Sequence, residues 1–503
     1  MQFVDETRVE ATRRTTPERK AQLGQFLTSS RIATFMAAML DCPDRQVRLL
    51  DPGAGVGSLF SAVVAELCCR TLPPQRIAVT ALELDDCLLP ALRRTMDACQ
   101  RLCEERGIAF EGRVVHGDFI DLAVSTLRPS LFTAGLSAPL DTYTGVILNP
   151  PYLKINSASH VRGCLRSVGV EASNLYTAFM ALSIKLLEPG GELVSITPRS
   201  FCNGPYFRHF RHAFLGEMAL RRLHLFESRQ AAFRDDAVLQ ENVILAACKV
   251  RSAADSHVTI STSAGPSDDS VVERHVPYAR VVHPGDQEAF IRIVERDSGD
   301  QVAELIAACR ATLADLQLSV STGRVVDFRS KPQLRDQPAE DAVPLIYPTH
   351  LADGRVTWPK LHGRKPNAIV LTPETRDLLV PTGNFVLVKR FSAKEERKRV
   401  VAVVFEPDDA GGDLIGFENH LNYFHRAGAG LELPIARGLA AFLNSSLVDT
   451  YFRQFNGHTQ VNATDLRNMK YPSKEELIRL GRWSLTHRDS NQVELDEEVR
   501  KIA

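Results

Sequence analysis

The sequence lacks the features typical of membrane, secreted and metal-centred proteins. No apolar run reaches the roughly 20 residues that a membrane-spanning helix needs. The basic residues between Arg13 and Lys20 are not followed by an apolar stretch, so they do not form a signal peptide. All ten cysteines lie between Cys42 and Cys309 without a Cys-x-x-Cys pair, which favours reduced, buried thiols over a metal site. We therefore expect a cytoplasmic protein without a resident metal ion.

An excess of charge of either sign is also missing. The 503 residues carry a net charge of −1, so any surface that binds nucleic acid must be local. No internal repeat is found, which argues against a solenoid. The chain is 44% hydrophobic and 24% charged, a globular composition, and it is long enough for two or three domains.

The sequence is organised around residues 146–152, Val-Ile-Leu-Asn-Pro-Pro-Tyr. Three apolar residues predict a short buried strand, which the prolines end because proline cannot donate a ladder hydrogen bond. Asn149 then lies at the carboxyl end of the strand, where open α/β sheets bind ligands. The amide oxygen of Asn149 and the carbonyl of Pro150 could accept both N–H groups of a flat exocyclic amine, and Tyr152 could stack on its ring. Taken alone, Asn-Pro-Pro-Tyr could equally be a proline-rich turn.

Strands and helices alternate around this stretch, as in a doubly wound α/β sheet. Residues 47–51 predict a strand, residues 52–57 a tight glycine-rich turn and residues 58–70 an apolar helix, the order that opens nucleotide-binding sheets. The turn is not a Walker A loop because no Gly-Lys-Ser/Thr follows it. Residues 223–226 and 242–248 predict two further strands, which could close the sheet as an antiparallel edge hairpin.

Acidic or amide side chains end four of the predicted strands. Glu83 ends the second strand and could accept hydrogen bonds from both hydroxyls of a ribose. Asp118 ends the third and could accept from the amino group of an adenine ring. Asp51 and Asn149 end the first and the fourth. Each could be a helix cap or a turn residue on its own. Four such residues, each at the carboxyl end of a predicted strand, indicate one ligand site.

The composition changes after the predicted sheet. Residues 251–275 are rich in Ser, Asp and Ala and predict an inter-domain linker. Within the following domain, residues 438–455 predict one amphipathic helix. The predicted parts of the chain are an N-terminal arm at 1–20, an α/β domain at 21–250, the linker at 251–275, an α+β domain at 276–480 and a charged, frayed tail at 481–503.

A basic segment at residues 389–399 is the local surface that could meet nucleic acid. It carries six basic residues, two acids and an aromatic. Phosphate contact is one interpretation, and a solvated loop is the other. Further on, Gly457 could simply end a helix, or the residues after it could face DNA. The candidate DNA-binding residues are Lys389, Arg390, Lys394, Lys398, Arg399, His458 and Gln460.

The order of these motifs resembles the gamma class of N6-adenine DNA methyltransferases in type II restriction–modification systems. The resemblance covers residues 23–250 and rests on Gly-Gln-Phe-Leu-Thr, Asp-Pro-Gly-Ala-Gly-Val-Gly, Leu-Glu-Leu-Asp, Gly-Asp-Phe and Asn-Pro-Pro-Tyr. Residues 452–462 are similar to a signature of the Eco57I-type and PstI/BsuBI-type enzymes. One position departs from the family, since Ala54 stands in the glycine turn where cysteine is frequent.

The resemblance implies a Rossmann-like methyltransferase fold with S-adenosylmethionine (AdoMet) as cofactor and double-stranded DNA as substrate. It also implies target recognition by the 276–480 domain and a separately encoded restriction endonuclease. The residues that it places around the cofactor are Phe26 and Thr28 at the methionine end, Asp51, Gly53 and Gly55 as the floor, Glu83 at the ribose, and Asp118 with Phe119 at the adenine. Those that it places at the target base are Asn149, Pro150, Pro151 and Tyr152, with Phe233 as a second aromatic against the base.

The implied reaction is site-specific transfer of a methyl group to N6 of an adenine flipped out of the duplex. Asn rather than Ser at position 149 favours adenine N6 over cytosine N4. Two other functions remain open at this point. Asn-Pro-Pro-Tyr also occurs in enzymes that methylate RNA bases or protein glutamine, and a non-catalytic DNA-binding protein could retain the same fold. The DNA recognition sequence does not follow from these residues.

Overall fold

The computed structural model describes most of the chain in two compact units, Met1–Glu295 and Arg296–Ala503. Among the described residues, no helix combines the length and the apolar character that a membrane span requires. The described residues are 4–9, 27–128, 139–156, 158–226, 241–250, 256–265, 270–293, 302, 305–306, 308–352, 354–361, 363–392, 396–455 and 460–502.

A nine-stranded sheet forms the centre of the first unit. Its strands are β1 (Gln46–Pro52), β2 (Arg76–Glu83), β3 (Ala109–His116), β4 (Tyr143–Leu148), β5 (Leu187–Pro198), β6 (Ala219–Phe226), β7 (Asn242–Cys248), β8 (His257–Ser263) and β9 (Val272–Pro277). Their order is β3-β2-β1-β4-β5-β7-β6-β8-β9. The first five strands are parallel, and β7 runs antiparallel between β5 and β6. The strand order reverses between β1 and β4, which is where doubly wound sheets bind ligands.

Helices cover both faces of this sheet, so its central strands are buried on both sides. The helices are α1 (Ser30–Ala37), α2 (Ser58–Cys69), α3 (Leu89–Glu105), α4 (Phe119–Leu127), α5 (His160–Ser167), α6 (Leu175–Leu186), α7 (Arg208–Glu217) and α8 (Tyr278–Val281). One apolar core lies between the sheet and α1, α2 and α3, and the other between the sheet and α4, α6 and α7. Every residue of β4 is buried, which explains its unbroken apolar run. The predicted doubly wound fold is confirmed.

The predicted linker at 251–275 is wrong, because most of its described residues belong to strands of the sheet. β8 pairs in parallel with β6, and β9 pairs antiparallel with β8. The Ser-rich composition has a structural cause: the imidazole of His224 is hydrogen-bonded to Ser261 Oγ at 2.9 Å and to Ser263 Oγ at 3.2 Å, all three being buried. The β6–β7 pair is consequently not the edge of the sheet.

The boundaries predicted on either side of the first unit also change. Asp5 accepts hydrogen bonds from the side chain of Arg8 and from the backbone N–H of Ser30, so the helical residues 4–9 are tied to α1 rather than forming a loose arm. At the other end, Ile291 forms a β-bridge with Val282, and the first unit continues well beyond residue 276.

The second unit is an α+β structure with small sheets. Its strands are β10 (Ser319–Thr322), β11 (Leu334–Arg335), β12 (Ala342–Ile346), β13 (Leu351–Ala352), β14 (Arg355–Val356), β15 (Ala368–Val370), β16 (Leu379–Pro381), β17 (Phe385–Lys389), β18 (Ala402–Phe405), β19 (Leu414–Phe417) and β20 (Leu421–His425). They form sheets in the orders β10-β20-β17-β18, β11-β15-β12-β19-β16 and β13-β14. Its helices are α9 (Asp327–Ser330), α10 (Pro373–Arg376), α11 (Leu433–Leu443), α12 (Ser446–Phe455), α13 (Ala463–Asn468), α14 (Lys474–Thr486) and α15 (Gln492–Arg500).

The helix predicted at 438–455 is two helices, α11 and α12. The first helix ends at Asn444. The side-chain amide of Asn444 donates to the carbonyl of Ala402 in β18 at 2.7 Å and accepts from the Ala402 N–H at 3.1 Å. That pairing holds the end of α11 against the four-stranded sheet. A polar anchor of this kind depends on a distant strand, so helical periodicity alone could not predict it.

The predicted frayed tail at 481–503 is also wrong. It contains the end of α14 and all of α15, and Val499 and Ile502 are buried in the core of the second unit. α14 packs closely on α11 because Gly438 faces the α14 backbone: a Cβ added at Gly438 would lie 1.9 Å from the Leu477 carbonyl oxygen. Residues 481–502 therefore belong to the folded second unit.

Candidate active site

The turn between β1 and α2 forms one wall of a pocket at the carboxyl ends of the parallel strands. Gly53, Gly55 and Gly57 all have positive φ, at 85°, 59° and 89°, which glycine adopts without strain. The N–H groups of Gly53 and Ala54 both donate to the Leu82 carbonyl of β2, at 2.9 and 2.7 Å. These bonds hold the turn over the end of the neighbouring strand.

The pocket has a volume of about 780 Å³, open to solvent. It brings together the predicted residues Thr28, Gly53, Gly55, Glu83, Asp118, Phe119, Asn149 and Pro151. Those residues come from the ends of four strands and from the segment before α1. They meet beside β1 and β4, where the strand order reverses, as the sequence predicts. Pro150 is buried, and Asp51 and Tyr152 are not among the residues that line the pocket.

Glu83 is held in place by backbone amides on both of its oxygens. Oε2 accepts from the Gly55 N–H and Oε1 from the Asp85 N–H, each at 2.7 Å. Burial raises the pKa of this carboxyl, and the two amide hydrogen bonds oppose that rise. These backbone hydrogen bonds orient the carboxylate at the edge of the pocket, which it lines.

Asp118 is both a helix cap and a pocket residue. Its Oδ1 accepts from the backbone N–H of Ile120 at 2.7 Å and of Asp121 at 3.4 Å, which begins α4. Burial raises the pKa of this carboxyl as well. The two interpretations of Asp118, cap and ligand-binding residue, are therefore compatible.

Phe179 on α6 is a pocket residue that sequence reasoning missed. Its ring lies 5.0 Å from the ring of Phe119, and its edge is 3.6 Å from where a Cβ of Gly53 would be. In the sequence Phe179 is one apolar residue among many on a buried helix, so no local signal separates it from the core. Together with Phe119 it gives the pocket an aromatic side.

Asn149 occupies the end of β4 with its amide oriented by two neighbours. Its Nδ2 donates to Thr28 Oγ1 at 3.0 Å, and its Oδ1 accepts from the Tyr152 hydroxyl at 3.1 Å. Thr28 is itself buried. The amide nitrogen therefore points to the segment before α1, and the oxygen faces Tyr152.

Tyr152 is held by its hydroxyl rather than lying free on the surface. The same hydroxyl lies 3.3 Å from the Ile196 carbonyl, and the ring meets Tyr176 edge-on with centroids 6.3 Å apart. Burial raises the pKa of this phenol, so it stays protonated and can donate. Tyr152 as a whole residue is half-buried.

Asp51 lies beneath the glycine turn. It is fully buried, and its Oδ2 accepts from the Phe60 N–H of α2 at 3.3 Å. Burial raises the pKa of its carboxyl to about 8, and the nearby Glu83 carboxylate adds to the rise. Among the described residues, no group donates to its Oδ1, which leaves one buried acceptor beside the pocket wall.

The basic segment separates into residues that support the fold and residues that remain accessible. Arg399 is 1% exposed, and its guanidinium donates to Ser392, so the prediction that Arg399 contacts phosphate is wrong. Lys398 Nζ donates to the Asn444 carbonyl at 2.7 Å, and burial lowers its pKa. Both cations satisfy acceptors of their own unit. Of the other predicted site residues, Phe26, Phe233, Lys394 and His458 lie outside the described part of the chain.

Arg390 and Gln460 are brought together by the fold of the second unit. Arg390 Nη2 lies 3.4 Å from Gln460 Oε1, and Phe391 forms a β-bridge with Gln460. The ring of Phe391, 43% exposed, lies 4.8 Å from the ring of His420. We call Arg390, Phe391, His420 and Gln460 the Arg390 cluster. It places a cation, an exposed aromatic ring and an amide side by side.

Comparisons with known proteins agree with this geometry. A family model described as Eco57I restriction-modification methylase matches residues 140–233, which include Asn149 and Tyr152. The type II methyltransferase M.PstI of Providencia stuartii is 40% identical over 482 residues, 96% of this chain and 93% of that protein. M.BsuBI of Bacillus subtilis is 42% identical over 489 residues, 96% of this chain and 94% of that protein. The cryo-EM structure of a DrdV–DNA complex has a similar fold, with a TM-score of 0.54 at 13% identity, covering 96% of this chain and 59% of that one.

Proposed function

The chain belongs to the type II methyltransferases of restriction–modification systems, and from this premise we propose that it methylates N6 of an adenine flipped out of double-stranded DNA. The family predicted from the motifs is thereby confirmed, as is AdoMet as the cofactor. The choice of adenine and the roles of individual residues are our proposal, and they rest on the geometry around Asn149.

The residues that line the pocket suit AdoMet in their chemistry. Gly55 has a positive φ of 59°, which favours glycine, and a Cβ there would lie 2.8 Å from the side chain of Leu27, another residue of the pocket. Glu83 is placed to accept from the ribose hydroxyls, and Asp51 supports the glycine turn from beneath through its hydrogen bond from the Phe60 N–H. Asp118, Phe119 and Phe179 would surround the adenine ring.

When bound, AdoMet supplies a methyl group on a positively charged sulfonium, which is a good leaving group. The protein therefore has to align the attacking nitrogen more than to provide a strong base. An exocyclic amine such as adenine N6 has its lone pair delocalised into the ring. Two acceptors on its N–H groups favour a pyramidal nitrogen with an available lone pair.

The observation that carries the proposal is the orientation of the Asn149 amide. Nδ2 donates to Thr28 Oγ1 and Oδ1 accepts from the Tyr152 hydroxyl, so the amide nitrogen is turned toward Thr28 and the oxygen away from it. We assign Oδ1 as the acceptor for one N–H of N6. The Pro150 carbonyl would accept the other N–H. A cytosine amine would be recognised in the same manner, so the target base is decided by experiment.

Extrusion of the base from the duplex costs a few kcal/mol, which stacking has to offset. Base–aromatic stacking contributes about 1–3 kcal/mol. We assign that role to the half-buried Tyr152. Its hydroxyl is hydrogen-bonded to Asn149 and Ile196, and its ring packs edge-on against Tyr176, so the ring is held in place. Phe233, outside the described residues, is the proposed second aromatic.

We assign DNA recognition to the second unit and, within it, we assign contact with DNA to the Arg390 cluster and Lys389. An arginine can contact phosphate or the edge of guanine, and an exposed aromatic ring can stack on or wedge against bases. The proposal includes a separately encoded restriction endonuclease that cuts the same sequence, and a location in the cytoplasm with the host DNA.

The test identifies the methylated product directly. DNA is incubated with the purified chain and isotopically labelled AdoMet, digested to nucleosides and analysed by mass spectrometry, with Asn149→Ala as the control. We expect the label in N6-methyladenine and no label with the variant. Label in N4-methylcytosine would contradict the choice of adenine, and label incorporated into RNA or protein but not DNA would contradict the substrate.

A further inference from the structure

Three side chains on α4 and α5 form a cluster of potential metal ligands that does not line the pocket. Asp121, His160 and Cys164 place one ligand atom each within 4.8 Å of the other two. His160 Nε2 and Cys164 Sγ are 3.3 Å apart. Asp121 and His160 are exposed and Cys164 is partly buried, so an ion could reach the cluster from solvent.

The fold itself produces this arrangement. His160 and Cys164 are four residues apart on α5, so they lie on the same helix face. Asp121 belongs to the first turn of α4, which packs against α5. Leu165 of α5 and Ile120 of α4 are buried in the same apolar core, which fixes the two helices together on the other side of the cluster. The three ligands are therefore held by packing and not by one flexible loop.

The set of donor atoms has a clear chemical preference. A thiolate, an imidazole and a carboxylate are the ligands that Zn²⁺ takes in proteins, with Zn–S near 2.3 Å and Zn–N near 2.0–2.1 Å. In a tetrahedral site these bond lengths put sulfur and nitrogen about 3.5 Å apart. The observed separation of 3.3 Å is close to that value. Harder ions such as Mg²⁺ prefer oxygen ligands and do not suit a thiolate.

We propose that Asp121, His160 and Cys164 bind Zn²⁺ or a similar thiophilic divalent cation, with solvent in the fourth position. Binding forms a metal–sulfur bond, and the proton of the Cys164 thiol passes to solvent. The ion would join α5, which follows the Asn-Pro-Pro-Tyr stretch, to the helix that Asp118 caps at the pocket. This proposal does not depend on the methyl-transfer reaction. Sequence reasoning missed it because it saw no Cys-x-x-Cys pair, and Asp121 is remote in the sequence.

A second group of potential ligands, Asp85, Asp86 and Cys87, provides the matched control. These residues are consecutive, and Asp85 Oδ1 already accepts from the Cys87 N–H at 3.0 Å. The thiol of Cys87 is exposed, so it reports any unspecific binding of metal to a surface cysteine.

The test titrates Co²⁺ into the full-length chain after treatment with a chelator and follows the thiolate-to-Co²⁺ charge-transfer absorption. We expect one equivalent of Co²⁺ with this absorption, its displacement by Zn²⁺, its loss in Cys164→Ser and its persistence in Cys87→Ser. No thiolate absorption in the wild-type chain would overturn the proposal and leave a simple S–H···N hydrogen bond. Absorption that survives Cys164→Ser would place the metal elsewhere and would also overturn it.

Thermal unfolding provides an independent measurement. Zn²⁺ should raise the Tm of the wild-type chain and of Cys87→Ser, because a ligand that binds only the native state stabilises it. The Tm of His160→Gln should match that of the wild-type chain without metal, since His160 is exposed, and should not respond to Zn²⁺. An equal Zn²⁺ shift in His160→Gln would contradict the proposed ligand set.

Discussion

Asn149 and Thr28 are 121 residues apart in the sequence, and the Asn149 amide nitrogen donates to the Thr28 hydroxyl at 3.0 Å. Thr28 precedes α1, whereas Asn149 ends β4. This bond orients the amide, with its nitrogen toward Thr28 and its oxygen toward the Tyr152 hydroxyl. Thr28 is therefore a partner of Asn149 as well as a residue of the pocket wall.

We expect Thr28→Val to lower kcat by between about two- and tenfold, the effect of losing one hydrogen bond. Thr28→Ser keeps the hydroxyl and should restore most of the rate. The measurement compares kcat with the AdoMet dissociation constant for both variants. A change confined to AdoMet binding would mean that Thr28 serves only the cofactor and does not orient Asn149.

Asn149→Ala should abolish most of the transfer and leave AdoMet binding nearly intact. Loss of a preorganised hydrogen-bonding group in a desolvated site typically costs about 10²–10³ in rate. The amide contacts Thr28 and Tyr152 in the structure, so both partners lose a contact, and circular dichroism should accompany the assay. Single-turnover kinetics measure the transfer, and calorimetry measures the cofactor. A folded variant with near wild-type transfer would remove Asn149 from the mechanism.

Local patterns could predict the part of the site that is built from strand ends. The turn at Gly53 follows an apolar strand and precedes an apolar helix, and each step is visible within a few residues. The contacts that orient Asn149 could not be predicted in this way. They depend on distant segments meeting at the topological switch point, and hydrophobic periodicity carries no information about which polar side chains then pair.

The errors in the fold have the same origin. The composition of β8 predicts a linker because Ser261 and Ser263 resemble loop residues, whereas in the structure both are hydrogen-bonded to the buried His224. The run of charges around Arg399 predicts a phosphate contact, whereas the buried guanidinium donates to Ser392. In each case a polar side chain is hydrogen-bonded to a partner that the local sequence does not reveal. The partner is either distant in the sequence or brought into contact only when the loop folds.

Glu83→Ala should weaken AdoMet binding. The lost hydrogen bonds to the ribose should cost about 1–3 kcal/mol, which corresponds to roughly 5- to 150-fold in the dissociation constant. Since Glu83 also accepts from Gly55 and Asp85, part of the loss would come from a looser turn. Glu83→Gln retains one acceptor oxygen, so its AdoMet dissociation constant should lie between those of the wild-type chain and Glu83→Ala. Calorimetry that gives wild-type affinity for Glu83→Ala would exclude the assignment.

The buried carboxyl of Asp51 should make the stability of the cofactor-free protein depend on pH. Its pKa is raised from 3.8 to about 8 in the folded chain, so the native state binds the proton more tightly than the unfolded state does. The resulting stabilisation is fully present below pH 3.8, the pKa of this carboxyl in the unfolded chain, and is lost as pH rises through about 8, its pKa in the folded chain. Asp51→Asn removes the titrating group and keeps its shape.

We therefore expect the free energy of unfolding of the wild-type chain to fall relative to that of Asp51→Asn as pH rises from weakly acidic values to pH 8 and above. Urea titrations of both proteins at several pH values measure this difference. Glu83 titrates in both proteins, so its contribution largely cancels. Parallel pH dependences of the two proteins would show that the Asp51 carboxyl is not the group responsible.

Arg390→Gln should weaken DNA binding to a similar extent for cognate and unrelated duplexes. Arg390 lies beside the exposed ring of Phe391 and the amide of Gln460, and a cation there can neutralise about one phosphate. The slope of log K against log salt concentration should therefore decrease by about 1. Arg482→Gln, at an exposed position on α14, is the matched control and should leave the slope unchanged. Fluorescence anisotropy at several salt concentrations measures the affinity and the slope for both variants.

Two outcomes would contradict this prediction. If Arg390→Gln discriminates more weakly between cognate and unrelated DNA with an unchanged slope, Arg390 contacts a base and not the backbone. If neither affinity nor slope changes, the Arg390 cluster does not face DNA.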